Sequence, residues 1–294
     1  MDKSFFVSFI KLEVNRNFVV RMKEEKFIDI QKLIASKNPK AAKWIPGFVM
    51  RYLKRILHQD EINTFLVEHK DEKNEVFCDS VMEFLNLKVV IDGIEKIPKD
   101  GKVILAMNHP LGGMDAIALI SGLKNHRTDI KFIVNDLLMS LENISALFVG
   151  VNKHGKNEKS TRQQLVELFE SDQLICIFPA GLVSRRLNGE IRDLVWKKTF
   201  MIYAKKHNHI IVPIHIDGKL SRFFYNLANF RQKIGIKMNI EMLYLSNELF
   251  KQRNRTIRFT IGSPVLASDL DQTKTELELA QVVRAKVYEL EPKK

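Results

Sequence analysis

Hydrophobic positions along the chain change their rhythm near residue 87. Before it, apolar residues recur at helical spacing and few runs look strand-like. In KWIPGFVMRYLKRIL (residues 43–57), Val49, Leu53, Ile56 and Leu57 share one helical face while Arg51, Lys54 and Arg55 point elsewhere. Such a cationic amphipathic helix either lies in a membrane interface or packs on a core with its basic side solvated. Beyond residue 87, short β-rich runs alternate with helical text: LKVVIDG, KVILAMN, KFIVN, ALFVGV, QLICIFP, IIVPIHI, MNIEMLYL and TIRFTIG, with STRQQLVELFES and LVWKKTFMIYAKKHN between them. This alternation predicts an α/β domain with a central mixed sheet flanked by helices, preceded by an N-terminal helical segment. The expected division is residues 1–80 for the helical segment and 81–294 for the α/β domain. The last segment, TELELAQVVRAKVYEL, places Leu279, Val283, Val287 and Leu290 on one face, as expected of a terminal helix docked on the core.

Composition narrows the class. Of 294 residues, 45% are hydrophobic, enough for a sizeable core and inconsistent with disorder. A formal net charge of +12 favours an anionic partner, whether nucleic acid, an acidic membrane surface, a phosphorylated ligand or an acidic carrier protein. Two cysteines in apolar text, Cys78 and Cys176, form neither a disulfide framework nor a metal spacing, so a reducing compartment and no metal site are expected. Lys11 and Glu13 break the short apolar N-terminal stretch, against a signal peptide. No run approaches the roughly 18 apolar residues a membrane span needs. The expectation is a cytoplasmic protein, soluble or lying on a membrane surface.

Two loops carry candidate chemistry. In NHPLGGMDA (residues 108–116), His109 follows a buried-strand pattern and Asp115 opens a helical one. That places His109 at the C-terminal end of a strand, where open α/β sheets meet ligands. Either the loop merely contains these residues, or an imidazole oriented by a carboxylate is built to move a proton. A strained Gly-x-Ser-x-Gly turn is absent, and Cys176 reads as buried and inert, so a catalytic pair would need a nucleophile from the substrate, naturally a hydroxyl. In FPAGLVSRR (residues 178–186), Gly181, Ser184, Arg185 and Arg186 follow a buried strand. Adjacent guanidiniums suit a phosphate or carboxylate, or form an exposed basic turn. His207 and His209 read as a helix-to-strand junction, His215 as a core histidine and His154 as exposed.

In order, NHPLGGMDA, FVGVNK, FPAGLVSRR and IVPIHIDG resemble the four motifs of the glycerolipid acyltransferases, the lysophosphatidate-acyltransferase-like enzymes, over roughly residues 87–266. The matching positions are Asn108, His109 and Asp115; Phe178, Pro179, Gly181 and Ser184 with its arginines; and Pro213. The resemblance implies that His109 takes the proton of an acceptor hydroxyl attacking an acyl thioester, and that Asp115 orients and charge-balances it. It further implies that amides around Gly112 and Gly113 help an oxyanion, and that Arg185, Arg186 and Lys153 hold an anionic head group. No bound cofactor is implied. The co-substrate would be an acyl-carrier protein or coenzyme A thioester, the acceptor a lysolipid and the working surface the inner face of an anionic membrane, without nucleic acid.

Three departures stand out. Five residues separate His109 from Asp115 where the family has four, Ala180 replaces the usual glutamate, and Asn152-Lys153 replaces an acid-arginine ending. Two glycines can loop out one extra residue. The HPLGG and FPAG…SR forms resemble the branch of hemolysin-like and ornithine- or glycine-lipid O-acyltransferases. For that branch the acceptor would be the hydroxyl of an N-(3-hydroxyacyl) amino acid, beside a lysophosphatidate-like alternative. The competing expectation is a non-catalytic basic protein on the same fold that binds anionic lipid or nucleic acid.

Overall fold

The computed structural model describes residues 28–37, 44–135, 141–151 and 159–292. The chain divides into two compact units, residues 1–71 and 72–294. The first holds helices α1 (Ile30–Lys37), α2 (Gly47–Ile56) and α3 (Gln59–Glu68). In α2 Ile56 is buried and Val49 and Leu53 of the predicted face are half-buried, while Phe48 and Tyr52, in step with Trp44 ahead of the helix, are exposed. The expected boundary near residue 80 falls within helix α4 (Asn74–Phe84), which belongs to the larger unit.

The larger unit is a mixed sheet between helical layers. Its strands are β1 (Lys88–Asp92), β2 (Val103–Met107), β3 (Ile130–Asn135), β4 (Phe148–Val151) and β5 (Leu174–Ile177), then β8 (Ile210–Asp217), β9 (Thr256–Ile261) and β10 (Val265–Leu266), after a separate hairpin β6 (Arg185–Leu187) and β7 (Glu190–Arg192). The spatial order is β1-β9-β8-β2-β5-β3-β4, with β10 also on β8. The strands from β8 through β4 pair in parallel, whereas β9 and β10 run antiparallel to β8. Every residue of β2 is buried, because a parallel central strand is covered on both faces.

On one face Ile104 and Ala106 of β2 meet helices α6 (Lys159–Glu170), α7 (Thr199–His207) and α10 (Glu276–Glu289) through Phe169, Phe200, Val283 and Val287. Thr275 starts α10 with a reciprocal cap to Glu278. Helices α4 and α5 (Gly113–Leu123) pack together, and α5 comes so close to β1 at Gly122 that a Cβ there would lie 2.7 Å from Ile91. Pro213 sits where the partner of β8 changes from β10 to β9, a position at which a strand tolerates a residue without an N–H.

One expected strand is not formed. MNIEMLYL becomes a 3₁₀ turn (Ile240–Tyr244) leading into α9 (Leu245–Phe250), behind helix α8 (Arg222–Lys233). Its alternation points a glutamate, not an apolar residue, inward. Glu241 is fully buried and bonds to both Arg185 and Arg231.

Candidate active site

The site is assembled at the C-terminal ends of β2, β5 and β8. Asn108 extends the β2–β8 ladder with its side chain, donating to the Ile216 carbonyl (2.9 Å) and accepting from the Ile216 N–H (2.7 Å). Its amide mimics a peptide group and fixes where the chain leaves the strand. The chain then turns through Gly112, at φ +73° and ψ −138°, a conformation that glycine alone adopts freely, and enters α5. Asp115, in the first turn of α5, is thereby swung back beneath His109.

The His109 Nδ1 and Asp115 Oδ2 are 2.9 Å apart, and the same oxygen accepts the Leu111 N–H at 2.9 Å. An ionised carboxylate can only accept, so Nδ1 carries the proton and Nε2 of a neutral ring is the bare nitrogen. Nε2 has no protein partner among the described residues. Burial raises the Asp115 carboxyl above its ordinary 3.8, and the hydrogen bond from His109 opposes the shift. Phe178 lies over the imidazole, ring centres 4.1 Å apart and 21° from parallel, which fixes the plane of the ring.

Ser184 and Asp193 hold the backbone of this loop. The His109 carbonyl accepts from the Ser184 N–H (2.8 Å), and the His109 N–H donates to Asp193 Oδ1 (3.2 Å). Asp193 Oδ1 also accepts the Ser184 hydroxyl at 2.6 Å, and Oδ2 accepts the Trp196 indole N–H at 2.9 Å. Ser184 and Asp193 are brought together by the β6–β7 hairpin, whose two-residue turn is Asn188 (φ +51°) and Gly189 (φ +87°). Sequence reasoning passed over Asp193, although Asn-Gly is a strong hairpin signal and places Asp193 opposite Ser184.

The remaining predicted residues separate by role. Gly113 and Gly181 are exposed, the latter at φ +67°, and Lys197 Nζ lies 3.1 Å from where a Gly181 Cβ would stand. Arg185 is 3% exposed and is engaged with the Val183 carbonyl and, at 3.0 Å, with Glu241; burial draws its guanidinium down and Glu241 opposes this. Arg186 is half-buried, its guanidinium 5.4 Å from the Tyr225 ring centre. Both arginines lie over rings of α8, Arg185 5.4 Å from the Phe224 centre, but Arg185 alone also belongs to the buried ion triad with Glu241. Lys153 lies outside the described residues, as do Asn152 and His154. A cavity of about 670 Å³ adjoins the loop, bordered by Asn108, Leu111, Ser184 and His215. Among the described residues no cluster of His, Cys, Asp and Glu is arranged to hold a metal ion.

Known proteins resemble this chain over most of its length. A family model described as Acyltransferase matches residues 32–293. A lyso-glycine lipid O-acyltransferase of Bacteroides thetaiotaomicron is 47% identical over 264 residues, 90% of this chain and 97% of that protein. One of Phocaeicola vulgatus is 46% identical over 268 residues, 90% and 95% of the two chains. Among solved structures, the 1-acyl-sn-glycerophosphate acyltransferase PlsC of Thermotoga maritima matches with a TM-score of 0.47 at 18% identity, over 83% of this chain and 96% of that one. The reading as a non-catalytic scaffold gives way to the family match and the two O-acyltransferase relatives. The chain belongs to the acyltransferase family, and it is an enzyme that transfers acyl groups.

Proposed function

We propose that the enzyme moves a fatty acyl group from a thioester to the hydroxyl of a lyso-glycine lipid, an N-(3-hydroxyacyl)glycine, with His109 as general base. The observation that carries this is the His109–Asp115 contact, which commits Nδ1 to the carboxylate and leaves Nε2 open. Nε2 takes the hydroxyl proton as the oxygen attacks the thioester carbonyl. The C–S bond then breaks, the imidazolium gives its proton to the departing thiolate to release a thiol, and an ester remains. Asp115 stabilises the imidazolium, and the amides of Gly112 and Gly113 at the start of α5 are suited to the oxyanion.

The relatives' names support the glycine-lipid acceptor over a lysophosphatidate-like one. A carboxylate head group needs fewer cations than a phosphate. Arg186 and Lys197 supply them, while Arg185 serves the triad that fixes the hairpin. Lys153 remains a proposed head-group ligand. The thioester is carried by acyl-carrier protein or coenzyme A, and catalysis takes place at the inner membrane surface. The exposed Trp44, Phe48 and Tyr52, interleaved with Arg51 and Arg55, support that placement. No helix among the described residues is long and apolar enough to cross a membrane.

The test is acyl transfer by the purified enzyme to N-(3-hydroxyacyl)glycine and to lysophosphatidate, with each thioester. Faster turnover of the glycine lipid supports the reading. Turnover of lysophosphatidate alone contradicts it.

A further inference from the structure

Helix α8 has two apolar faces, one buried and the other largely exposed, where Phe223 packs edge-on against Tyr244 (4.8 Å between ring centres). Phe224, Tyr225 and Ala228 are buried. Phe223, Leu227, Phe230 and Ile234 recur at i, i+4, i+7 and i+11, a single stripe on a different side of the helix. Phe230 is 59% exposed and Ile234 at the end of the helix 52%, and the stripe continues into the following turn with Ile236, Leu243 and Met238, the last 70% exposed. A water-facing helix gains nothing from such a stripe, and a contiguous exposed apolar surface marks a site of contact.

The charge around the stripe is of one sign. Arg222, Lys233 and Lys237 are exposed beside it, and residues 222–240 contain no aspartate or glutamate. The next acid, Glu241, is fully buried and held by Arg185 (3.0 Å) and Arg231 (2.6 Å). That triad ties the turn after α8 to the loop that follows Phe178. On the other side, Leu245 stands 3.5 Å from where a Cβ of Gly112 would be, against the cap of α5. The exposed stripe is therefore braced against both segments that hold His109.

We propose that this outer face of α8 and its following turn is a docking surface for an anionic lipid membrane, with Phe223, Phe230, Ile234 and Met238 entering the interface and Arg222, Lys233 and Lys237 meeting the head groups. It deepens the proposed lipid-acylating function, on which it rests: a surface braced to the catalytic loop holds the site at the interface where the acceptor resides. An acidic carrier protein would share the charge complementarity, but Phe223, Phe230, Ile234 and Met238 stand about half exposed or more, which suits acyl chains.

The test is co-sedimentation of the full chain with vesicles of phosphatidylglycerol and phosphatidylcholine, against phosphatidylcholine alone. The double variant Phe230→Ser, Ile234→Ser alters only exposed positions. It is expected to keep its thermal midpoint and to bind phosphatidylglycerol vesicles about ten-fold more weakly or worse. A second readout uses Ile234→Cys carrying an environment-sensitive fluorophore, since Cys78 and Cys176 are both fully buried. Its emission is expected to shift to the blue on adding phosphatidylglycerol vesicles. Wild-type binding by the double variant overturns the proposal. So does a probe that responds to acyl-carrier protein and not to vesicles. Neither readout involves turnover, so a failure of the acyl-transfer reading is seen separately.

Discussion

Asp115 places a carboxylate in a fully buried position, its Oδ1 without a hydrogen-bond partner among the described residues, an arrangement that costs stability and orients His109. Exchanging it for its neutral isostere separates the two effects. Asp115→Asn is expected to lower kcat by about 10²–10⁴-fold, the range general base catalysis contributes, while the thermal midpoint holds or rises. Steady-state kinetics and a melting curve on one preparation check both; activity within a few-fold of wild type would contradict the role given to Asp115. The pairing of His109 with Asp115 was legible because both stand in one short loop where a turn chemistry, Gly-Gly, was visible. Only the first of the two glycines adopts the positive φ. For Asp193 only the pairing with Ser184 could be read, from the Asn-Gly hairpin signal; the contacts of its carboxylate with the His109 N–H and the Trp196 indole depend on how the hairpin packs.

At the scale of elements, buried runs announced their strands well. VILAM, LICI and IIVPIHI become β2, β5 and β8 because central strands covered on both faces read as continuous apolar runs. MNIEMLYL misled because a two-residue alternation assumes that inward positions are apolar, and here the inward residue is Glu241, held by arginines 56 and 10 positions away. Period alone cannot reveal a partner so remote in sequence. The triad also sets an expectation for stability. Glu241→Gln leaves two guanidiniums without their shared counter-charge and is expected to destabilise the protein by about 3–5 kcal/mol, read as a fall in the denaturant midpoint. A change under about 1 kcal/mol would show that the triad does not brace α8 and the hairpin.

For the molecule as a whole, two histidines couple folding to pH. Burial lowers the pKa of both His209 and His215 below the ordinary 6.5. The unfolded chain then binds protons that the folded one refuses, so stability present above pH 6.5 is lost as pH falls through the folded-state values. Asp115, raised by burial, acts oppositely but in a window that begins at 3.8 and closes at its own raised value. The thermal midpoint is therefore expected to drop between pH 7.5 and pH 6.0, and His215→Gln to shrink that drop; a flat or rising midpoint would contradict it. The α/β architecture was legible from alternation, whereas the second apolar face of α8 was not, since exposure depends on what packs against it. The most direct measurement of the central claim is single-turnover acyl transfer from a thioester to N-(3-hydroxyacyl)glycine by wild type and His109→Ala. The account predicts an ester product from wild type and at least a hundred-fold loss, on the order of the general base contribution, in a variant with an unchanged melting curve. A folded His109→Ala enzyme that transfers the acyl group at the wild-type rate would contradict it.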